Sequence, residues 1–236
     1  MERTIRVAIL EDHQGVIDGY RYRLLQDQGF AIVAVATYGN QLIPMLQQHP
    51  ADVLLLDIGV PISEDNITPF PALSLIVELR ERYPGLKIIV ISMYDERTLI
   101  ESTLKAGVSG YILKGDHAAI RDLGKTIRSI MSGGRYLSGQ AADKLLRETE
   151  PSVSLSPRQL QILSLCAADP NLTKAEIANR LHIADSTVRN LLTSAYQRLG
   201  VRNLTAAIAA ARSQGILTPQ FPPSPLPVEF DLADSL

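Results

Sequence analysis

The sequence of 236 residues contains one cysteine, Cys166, four histidines and no tryptophan. One cysteine excludes a disulfide framework, and together with four scattered histidines it excludes a Cys/His zinc site. No apolar run approaches the roughly 18 residues that cross a bilayer, and Glu2, Arg3 and Arg6 stand where a signal peptide needs an apolar stretch. We therefore expect a soluble, cytoplasmic protein that has no membrane partner and uses Cys166 as a core residue.

The charge balance differs between parts of the chain. Lys and Arg number seven against three Asp and Glu in residues 151–218, whereas residues 1–150 and 219–236 are each acidic by three charges. A basic segment between acidic ones indicates a module that binds a polyanion, although many charged faces are merely solvated. Apolar residues at 46% and charged residues at 20% exclude a disordered or fibrous chain.

The first 130 residues alternate between short apolar runs and longer segments with helical spacing. The runs cover residues 5–10, 31–36, 53–56, 88–91 and 111–113. Apolar strands that alternate with amphipathic helices predict an α/β domain, in which a five-stranded, doubly wound parallel sheet is covered on both faces. Functional residues of such a domain are expected at the carboxyl ends of the strands.

This pattern ends near Ser132, where two glycines can terminate the fifth helix. We predict a domain over residues 1–132, a linker over 133–152 with a helical stretch near 141–147, and a smaller, all-helical domain over 153–217. Residues 218–236 contain five prolines and are expected to be extended or disordered.

Acidic residues follow two strands that are neighbours in this topology. Glu11 and Asp12 follow the first strand, and Asp57 follows the third. The three carboxylates should therefore converge, and their repulsion in a poorly solvated crevice calls for a cation. With oxygen ligands alone and an open site, the sequence predicts Mg²⁺.

Ser92 and Lys114 follow the next two strands of the predicted sheet. A hydroxyl and an ammonium beside a metal-bound carboxylate form a receptor for a phosphoryl group. Asp57 would be the nucleophile, because it ends the central buried strand. The alternative is that these strand-end residues are simply a solvated rim.

The first part of the sequence resembles the receiver domain of two-component response regulators, which has a flavodoxin-like fold. The matching words are VAILEDH (7–13), VLLLDIGVP (53–61), VISMYD (90–95) and GYILKGD (110–116). The resemblance implies that Asp57 is the phosphoacceptor and that a sensor histidine kinase is a partner. It also implies that the carbonyl of Gly59 is a metal ligand and that Tyr111 is an aromatic switch, although Tyr111 could equally be an ordinary core aromatic.

One segment departs from the family pattern. Residues 62–73 make the connection after Asp57 about five residues longer than is usual. The segment carries Glu64 and Asp65, and we expect both to be solvated, although they could instead affect the metal or the phosphoryl group.

The carboxyl-terminal section shows helix boundaries and two short helices joined by a tight turn. Ser156 and Thr173 are predicted helix caps, and Gly200 is predicted to end a helix that begins near Asp185. A tight turn followed by an amphipathic helix is typical of a helix-turn-helix. A helical bundle used for packing or dimerisation is the alternative.

The predicted second helix of this motif presents polar residues outward. Arg189 can pair with guanine edges and Asn190 with adenine, and Thr193 lies on the same side. Other side chains are expected to hold phosphates: Lys174, Ser186, Thr187, Arg198 and Arg202.

This section resembles the LuxR-type domain of NarL/FixJ-class regulators. The matching words are LSPRQLQILSL (155–165), KAEIANRLHIADSTVRNLL (174–192) and RLGVRNLTAAI (198–208). Ala184 replaces the usual capping serine, and Asp185 could cap one residue later. Leu191 stands where a histidine is common.

The resemblance implies a response regulator that is phosphorylated on Asp57 and binds double-stranded DNA as a homodimer. It implies that the protein is not a turnover enzyme. One alternative is a phosphohydrolase of the haloacid dehalogenase type, which requires an aspartate where Gly59 stands. The other is a DNA-binding regulator that a partner protein controls without phosphorylation.

Overall fold

The computed structural model describes residues 3–146, 153 and 155–218. Within these residues the strands are β1 (Ile5–Leu10), β2 (Phe30–Ala36), β3 (Val53–Leu56), β4 (Pro61–Ser63), β5 (Asn66–Pro69), β6 (Lys87–Ser92), β7 (Gly110–Leu113) and β8 (Tyr136–Leu137). The helices of the first part are α1 (Gln14–Leu25), α2 (Leu42–Gln48), α3 (Ala72–Arg82), α4 (Arg97–Ala106), α5 (His117–Arg121), α6 (Leu123–Met131) and α7 (Gly139–Leu146). The helices that follow are α8 (Pro157–Ala168), α9 (Lys174–Leu181), α10 (Asp185–Leu199) and α11 (Leu204–Ser213).

The central sheet of the described residues is parallel throughout, in the order β2-β1-β3-β6-β7-β8. The five strands expected from the apolar runs are confirmed, including the neighbouring placement of the first and the third. β8 was not predicted; it comes from the predicted linker and pairs with the edge of β7. A two-residue strand has no periodicity to detect, because its position depends on the edge that it joins.

The sheet is covered on both faces, as near-continuous apolar strands require. Val7 and Ile9 of β1 pack into one cluster with α1, α5 and α6, whereas Ala8 and Leu10 pack into another with α2, α3 and α4. Each buried Leu or Ile stabilises the fold by about 1.5–3 kcal/mol relative to an exposed one. This burial fixes the register of the strands and therefore the positions of the residues that follow them.

The segment of residues 62–73 contains an antiparallel hairpin, in which β4 pairs with β5. Its turn exposes Glu64 and Asp65, which agrees with the expectation that both are solvated. Proline at residues 61 and 69 and strands of three and four residues give no alternating pattern, so only a long connection was predicted from the sequence.

The helices of the carboxyl-terminal part begin and end where the sequence predicts. Ser156 Oγ accepts a hydrogen bond from the Gln159 amide, and Thr173 with Glu176 forms a second capping box. Gly200 ends α10 with a φ of 69°, a conformation that glycine adopts at little cost. Cys166 is buried and burial raises the pKa of its thiol to about 11, as expected of a core residue.

Asp185 could have capped α10, but the structure does not place it at the capping position. Ala184 occupies the capping position with extended backbone, and no side chain caps this end of the helix. Asp185 already belongs to the first helical turn, so it lacks the extended backbone of a capping residue. It lies instead 3.9 Å from the Arg189 guanidinium.

The two halves of the chain are packed together. α3 packs against α8, and the Thr98 hydroxyl donates a hydrogen bond to the Gln214 carbonyl just after α11. α7 packs against α4 and β7, so this part of the predicted linker adheres to the first half. The predicted tail, apart from Thr218, and most of residues 148–156 lie outside the described residues, and the domain limits stay predictions. Among the described residues, no helix has the length and apolar character needed to cross a membrane.

Asp52 joins β1 to the start of β3 at the end of the sheet opposite the predicted site. Its carboxylate accepts hydrogen bonds from the Arg6 backbone amide at 2.9 Å and from the Arg6 guanidinium at 3.0 and 3.1 Å. Hydrogen bonding to Arg6, above all, holds the pKa of Asp52 below its usual value.

We expect Asp52→Asn to lower the free energy of unfolding by about 2 kcal/mol at pH 7, because it removes charge-assisted hydrogen bonds. A lowered pKa gives stability that is present above the unfolded pKa of about 3.9 and is lost as the pH falls through the folded pKa. The difference between the variant and the parent should therefore shrink in urea unfolding at pH 3. Asp65→Asn in the exposed hairpin turn is the control, and an equal loss in both variants would contradict this role for Asp52.

Candidate functional site

The predicted site residues lie at the carboxyl ends of neighbouring strands. The Asp57 amide donates to the Leu10 carbonyl at 2.9 Å, so the residue after β3 is fixed beside the residues after β1. Glu11 is almost fully buried and Asp57 nearly so, whereas Asp12 lies at the exposed rim. The register of β1 against β3 therefore brings the acidic residues together as the sequence predicts.

Lys114 connects two of these carboxylates. Its ammonium lies 2.6 Å from Asp57 Oδ2, and 2.9 and 2.7 Å from the two carboxylate oxygens of Glu11. The ammonium reduces the repulsion between two buried negative charges, which would otherwise cost several kcal/mol. Asp57 Oδ1 accepts a further hydrogen bond from the Gly59 amide at 2.9 Å.

The charges of this cluster shift one another's pKa values. Burial, and then the negative charge of Asp57, raises the pKa of Glu11, while Lys114 opposes that rise. Burial lowers the pKa of Lys114, but the charges of Asp57 and Glu11 more than offset it and leave the pKa above its usual value. Lys114 is therefore a cation at neutral pH, next to the carboxylate that the sequence identifies as nucleophile.

Ser92 and Tyr111 form a second, fully buried layer beside the acidic cluster. Ser92 ends β6, its Oγ accepts from the Tyr94 amide at 3.3 Å, and its carbonyl accepts from the Lys114 amide at 2.9 Å. The Tyr111 hydroxyl donates to the Tyr94 carbonyl at 2.7 Å. The two predicted residues thus meet at one loop, which begins directly after β6.

The acidic residues of this cluster fit a magnesium ion. Ligand atoms of Glu11, Asp12 and His13 all lie within 4.8 Å of one another, and Glu11 shares Lys114 with Asp57. Three carboxylates and one ammonium leave two uncompensated negative charges, and the carboxylates offer the hard oxygen ligands that Mg²⁺ prefers. The donor set and its charge therefore suit Mg²⁺, with the Gly59 carbonyl as a further predicted ligand.

Two tyrosines that lie around this cluster were not predicted as site residues from the sequence. The Tyr94 hydroxyl is buried without a hydrogen-bond partner among the described residues, and a Cβ on Gly59 would lie 3.3 Å from the Tyr94 ring and 3.5 Å from Asp57 Oδ1. The Tyr20 hydroxyl from α1 is likewise buried and without a partner. The position of Tyr94 two residues after Ser92 could have indicated it, whereas Tyr20 has only the helical spacing of a core residue.

The predicted nucleic-acid contacts are all exposed residues of the helical half. Val188, Leu192 and Ala195 of α10 face inward, while the eight predicted contacts are all exposed. Lys174 opens α9, and Ser186, Thr187, Arg189, Asn190 and Thr193 follow the start of α10. Arg198 lies in the last turn of α10 and Arg202 just beyond it. An outward polar helix face is available for DNA, as the helix-turn-helix interpretation requires.

Comparisons with known proteins agree with this geometry. A family model of the response regulator receiver domain matches residues 7–125, and a model of bacterial regulatory proteins of the luxR family matches residues 153–211. The transcriptional regulatory protein DegU of Brevibacillus brevis is 25% identical over 236 residues, which cover 91% of this chain and 95% of DegU. The transcriptional regulatory protein DesR of Bacillus subtilis is 29% identical over 211 residues, which cover 89% of this chain and 98% of DesR.

Solved structures with a similar fold include complexes with DNA. RcsB from Salmonella enterica serovar Typhimurium, bound to the promoter rprA in the presence of the phosphomimetic BeF₃⁻, matches with a TM-score of 0.60 and 25% identity over 88% of this chain and 98% of RcsB. A structure of two RcsB dimers bound to two parallel DNAs matches with a TM-score of 0.55 and 27% identity over 89% of this chain and 99% of RcsB.

The two family models account for both halves of the chain, and neither describes a hydrolase. Gly59 also stands where the phosphohydrolase hypothesis needs an aspartate. The chain belongs to the response regulators that combine a receiver domain with a luxR-family DNA-binding domain, and it is a transcriptional regulator.

Proposed function

We propose that Asp57 accepts a phosphoryl group from a sensor histidine kinase and that this change controls DNA binding. The observation that carries the proposal is the Lys114 ammonium, 2.6 Å from Asp57 Oδ2 and 2.7 Å from Glu11. A structural ion pair needs only one carboxylate, whereas this cluster gathers an excess of carboxylates at strand ends in a doubly wound sheet. Such a cluster suits the transfer of a charged group.

In the proposed transfer, a carboxylate oxygen of Asp57 bonds to phosphorus while the bond between phosphorus and the kinase's histidine nitrogen breaks. The electron pair of that bond stays on the imidazole. Lys114 neutralises negative charge on the phosphoryl oxygens, and Ser92 donates a hydrogen bond to one of them. Glu11, Asp12, Asp57 and the Gly59 carbonyl would hold Mg²⁺, which would supply the remaining positive charge.

The new phosphoryl group adds a charge of about −1.5 to −2. We propose that Ser92 turns toward it and that Tyr111 adjusts as the switch residue. The hydrogen bond from Tyr111 to the Tyr94 carbonyl supports this role, because Tyr94 also donates its amide to Ser92. A movement of Ser92 therefore changes the partner that orients Tyr111.

The proposed DNA contacts divide into two classes. Arg189, Asn190 and Thr193 read base edges, whereas the others hold phosphates and set the register: Lys174, Ser186, Thr187, Arg198 and Arg202. One module offers a small reading surface, so useful specificity requires two half-sites and a homodimer. The dimers of RcsB on DNA support this assembly, and DNA binding supports a cytoplasmic location.

The proposal is tested by selection from random duplex DNA, with and without beryllofluoride and Mg²⁺. We expect enrichment of a site with two related halves, and binding of that site at least tenfold tighter when beryllofluoride is present. Affinity should fall steeply with added salt, because phosphate contacts release counterions.

Two results would speak against the proposal. Failure to enrich any sequence would contradict base reading by α10. Equal affinity with and without beryllofluoride would favour control by a partner protein in place of phosphorylation.

A further inference from the structure

The hairpin formed by β4 and β5 is attached closely to the proposed phosphoacceptor. Its base lies at Val60, three residues beyond Asp57, where the Phe70 amide donates to the Val60 carbonyl at 3.0 Å. Val60 and Phe70 are both buried. The base of the hairpin is therefore joined to the segment that follows Asp57 by the backbone and by this hydrogen bond.

The base of the hairpin is held firmly on the side of the receiver. Gly39 lies against Phe70 so closely that a Cβ on Gly39 would be 2.4 Å from the Phe70 Cβ. On its other side, the segment of residues 69–71 lines a small cleft together with residues of the DNA-binding half, among them Ser164, Ala167, Arg212 and Leu217. The base therefore lies between the receiver and the second domain.

The strands of the hairpin face the DNA-binding half as well. Ile62, Asn66 and Thr68 line a cleft of about 540 Å³ whose other wall is the end of α8, the turn after it and Arg180 of α9. By contrast, Ile67 at the tip is 83% exposed. The hairpin thus has one side toward the second domain and one side toward solvent.

The chain continues from the hairpin into the main contact between the two halves. α3 begins directly after Pro71 and packs against α8, and Glu81 lies 3.6 Å from the Arg158 guanidinium. The turn between α8 and α9 leads to Thr173 and Lys174, at the start of the helix-turn-helix. The contact between the two halves therefore involves α8, the helix that leads into the DNA-binding helices.

We propose that the hairpin is a docking element that holds the DNA-binding domain while Asp57 is unphosphorylated and weakens its hold after phosphorylation. The inference rests on the proposed function. The Gly59 amide now donates to Asp57 Oδ1, and a phosphoryl group on Asp57 changes what this carboxylate can accept. Such a change shifts the population of the docked state only if it alters the free energy of that state. The segment that follows Asp57 and the docked surface meet at the base of the hairpin. This route is separate from the one through Ser92 and Tyr111.

The test shortens the hairpin by replacing residues 62–68 with Asn-Gly, a pair that favours tight hairpin turns. Without beryllofluoride, we expect the shortened chain to bind the selected duplex at least tenfold more tightly than the parent, close to the parent with beryllofluoride. Its radius of gyration from small-angle X-ray scattering, without DNA, should increase. Ile67→Ser, which changes only the solvent side, should leave both quantities unchanged.

A milder double variant, Ile62→Ser with Thr68→Ser, keeps the hairpin and carries the test if the shortened chain does not fold. It should raise the affinity without beryllofluoride at least threefold. Unchanged affinity and unchanged scattering in variants that still take up phosphate from acetyl phosphate would overturn the docking role. Loss of the beryllofluoride response in the parent chain would instead refute the proposed function.

Discussion

Replacing Asp57 by Asn is expected to abolish phosphoryl uptake from acetyl phosphate. The amide has no carboxylate oxygen to bond to phosphorus, and the acidic set loses one of its charges. The variant should fold as stably as the parent, because Lys114 keeps Glu11 as a partner at 2.7 Å and one buried charge has been removed. Incorporation of labelled phosphate, measured after the same incubation, should drop to background.

Asp65→Asn is the matched control, since it makes the same change at an exposed position of the hairpin turn. It should take up phosphate at the rate of the parent. Labelling of Asp57→Asn at the parent level would assign the acceptor to another residue and would remove the basis for the switch through Ser92.

Truncation of Arg189 is expected to have the second largest effect. Arg189→Ala should weaken binding to the selected duplex by about 1–3 kcal/mol, or roughly 5- to 150-fold, and should relax the preference at one base position. The reason is that a guanidinium can make two hydrogen bonds to a guanine edge. Its side chain is exposed, with Asp185 as a partner at 3.9 Å, so its loss should not destabilise α10.

Two control variants separate the recognition of base edges from general electrostatic attraction to DNA. Lys174→Ala should weaken binding to all sequences similarly and reduce the salt dependence by about one counterion. Arg21→Ala removes an exposed arginine from α1 in the receiver half and should leave DNA affinity unchanged. An Arg189→Ala variant with parent-level affinity and unchanged base preference would rule out base reading at this position.

The sheet and the acidic cluster could be predicted in most of their detail because both depend on local patterns. A run such as VLLL (53–56) has no polar position, so it must be covered on both faces and must lie inside a parallel sheet. The residue after such a run is then placed at the edge of the sheet. Asp57, Glu11, Ser92 and Lys114 were identified by this reasoning.

The parts that could not be predicted depend on partners far away in the sequence. β8 exists because two residues reach the free edge of β7. The hairpin has two short strands, and its base is formed by the Val60–Phe70 hydrogen bond and lies against Gly39. Asp185 failed as a cap because the backbone of Ala184, and not its own, is extended at the start of α10.

By itself the sequence determined which side chains stand at the strand ends and which face of α10 is polar, because burial of the apolar positions leaves only one orientation for the others. Only the tertiary structure decided that Lys114 contacts both Asp57 and Glu11. It also decided that Tyr94 lies next to Gly59 and that the hairpin and the DNA-binding half line one cleft. Those relations join residues tens of positions apart. These relations depend on side-chain packing between whole helices and strands. Such packing produces no periodic pattern in the local sequence.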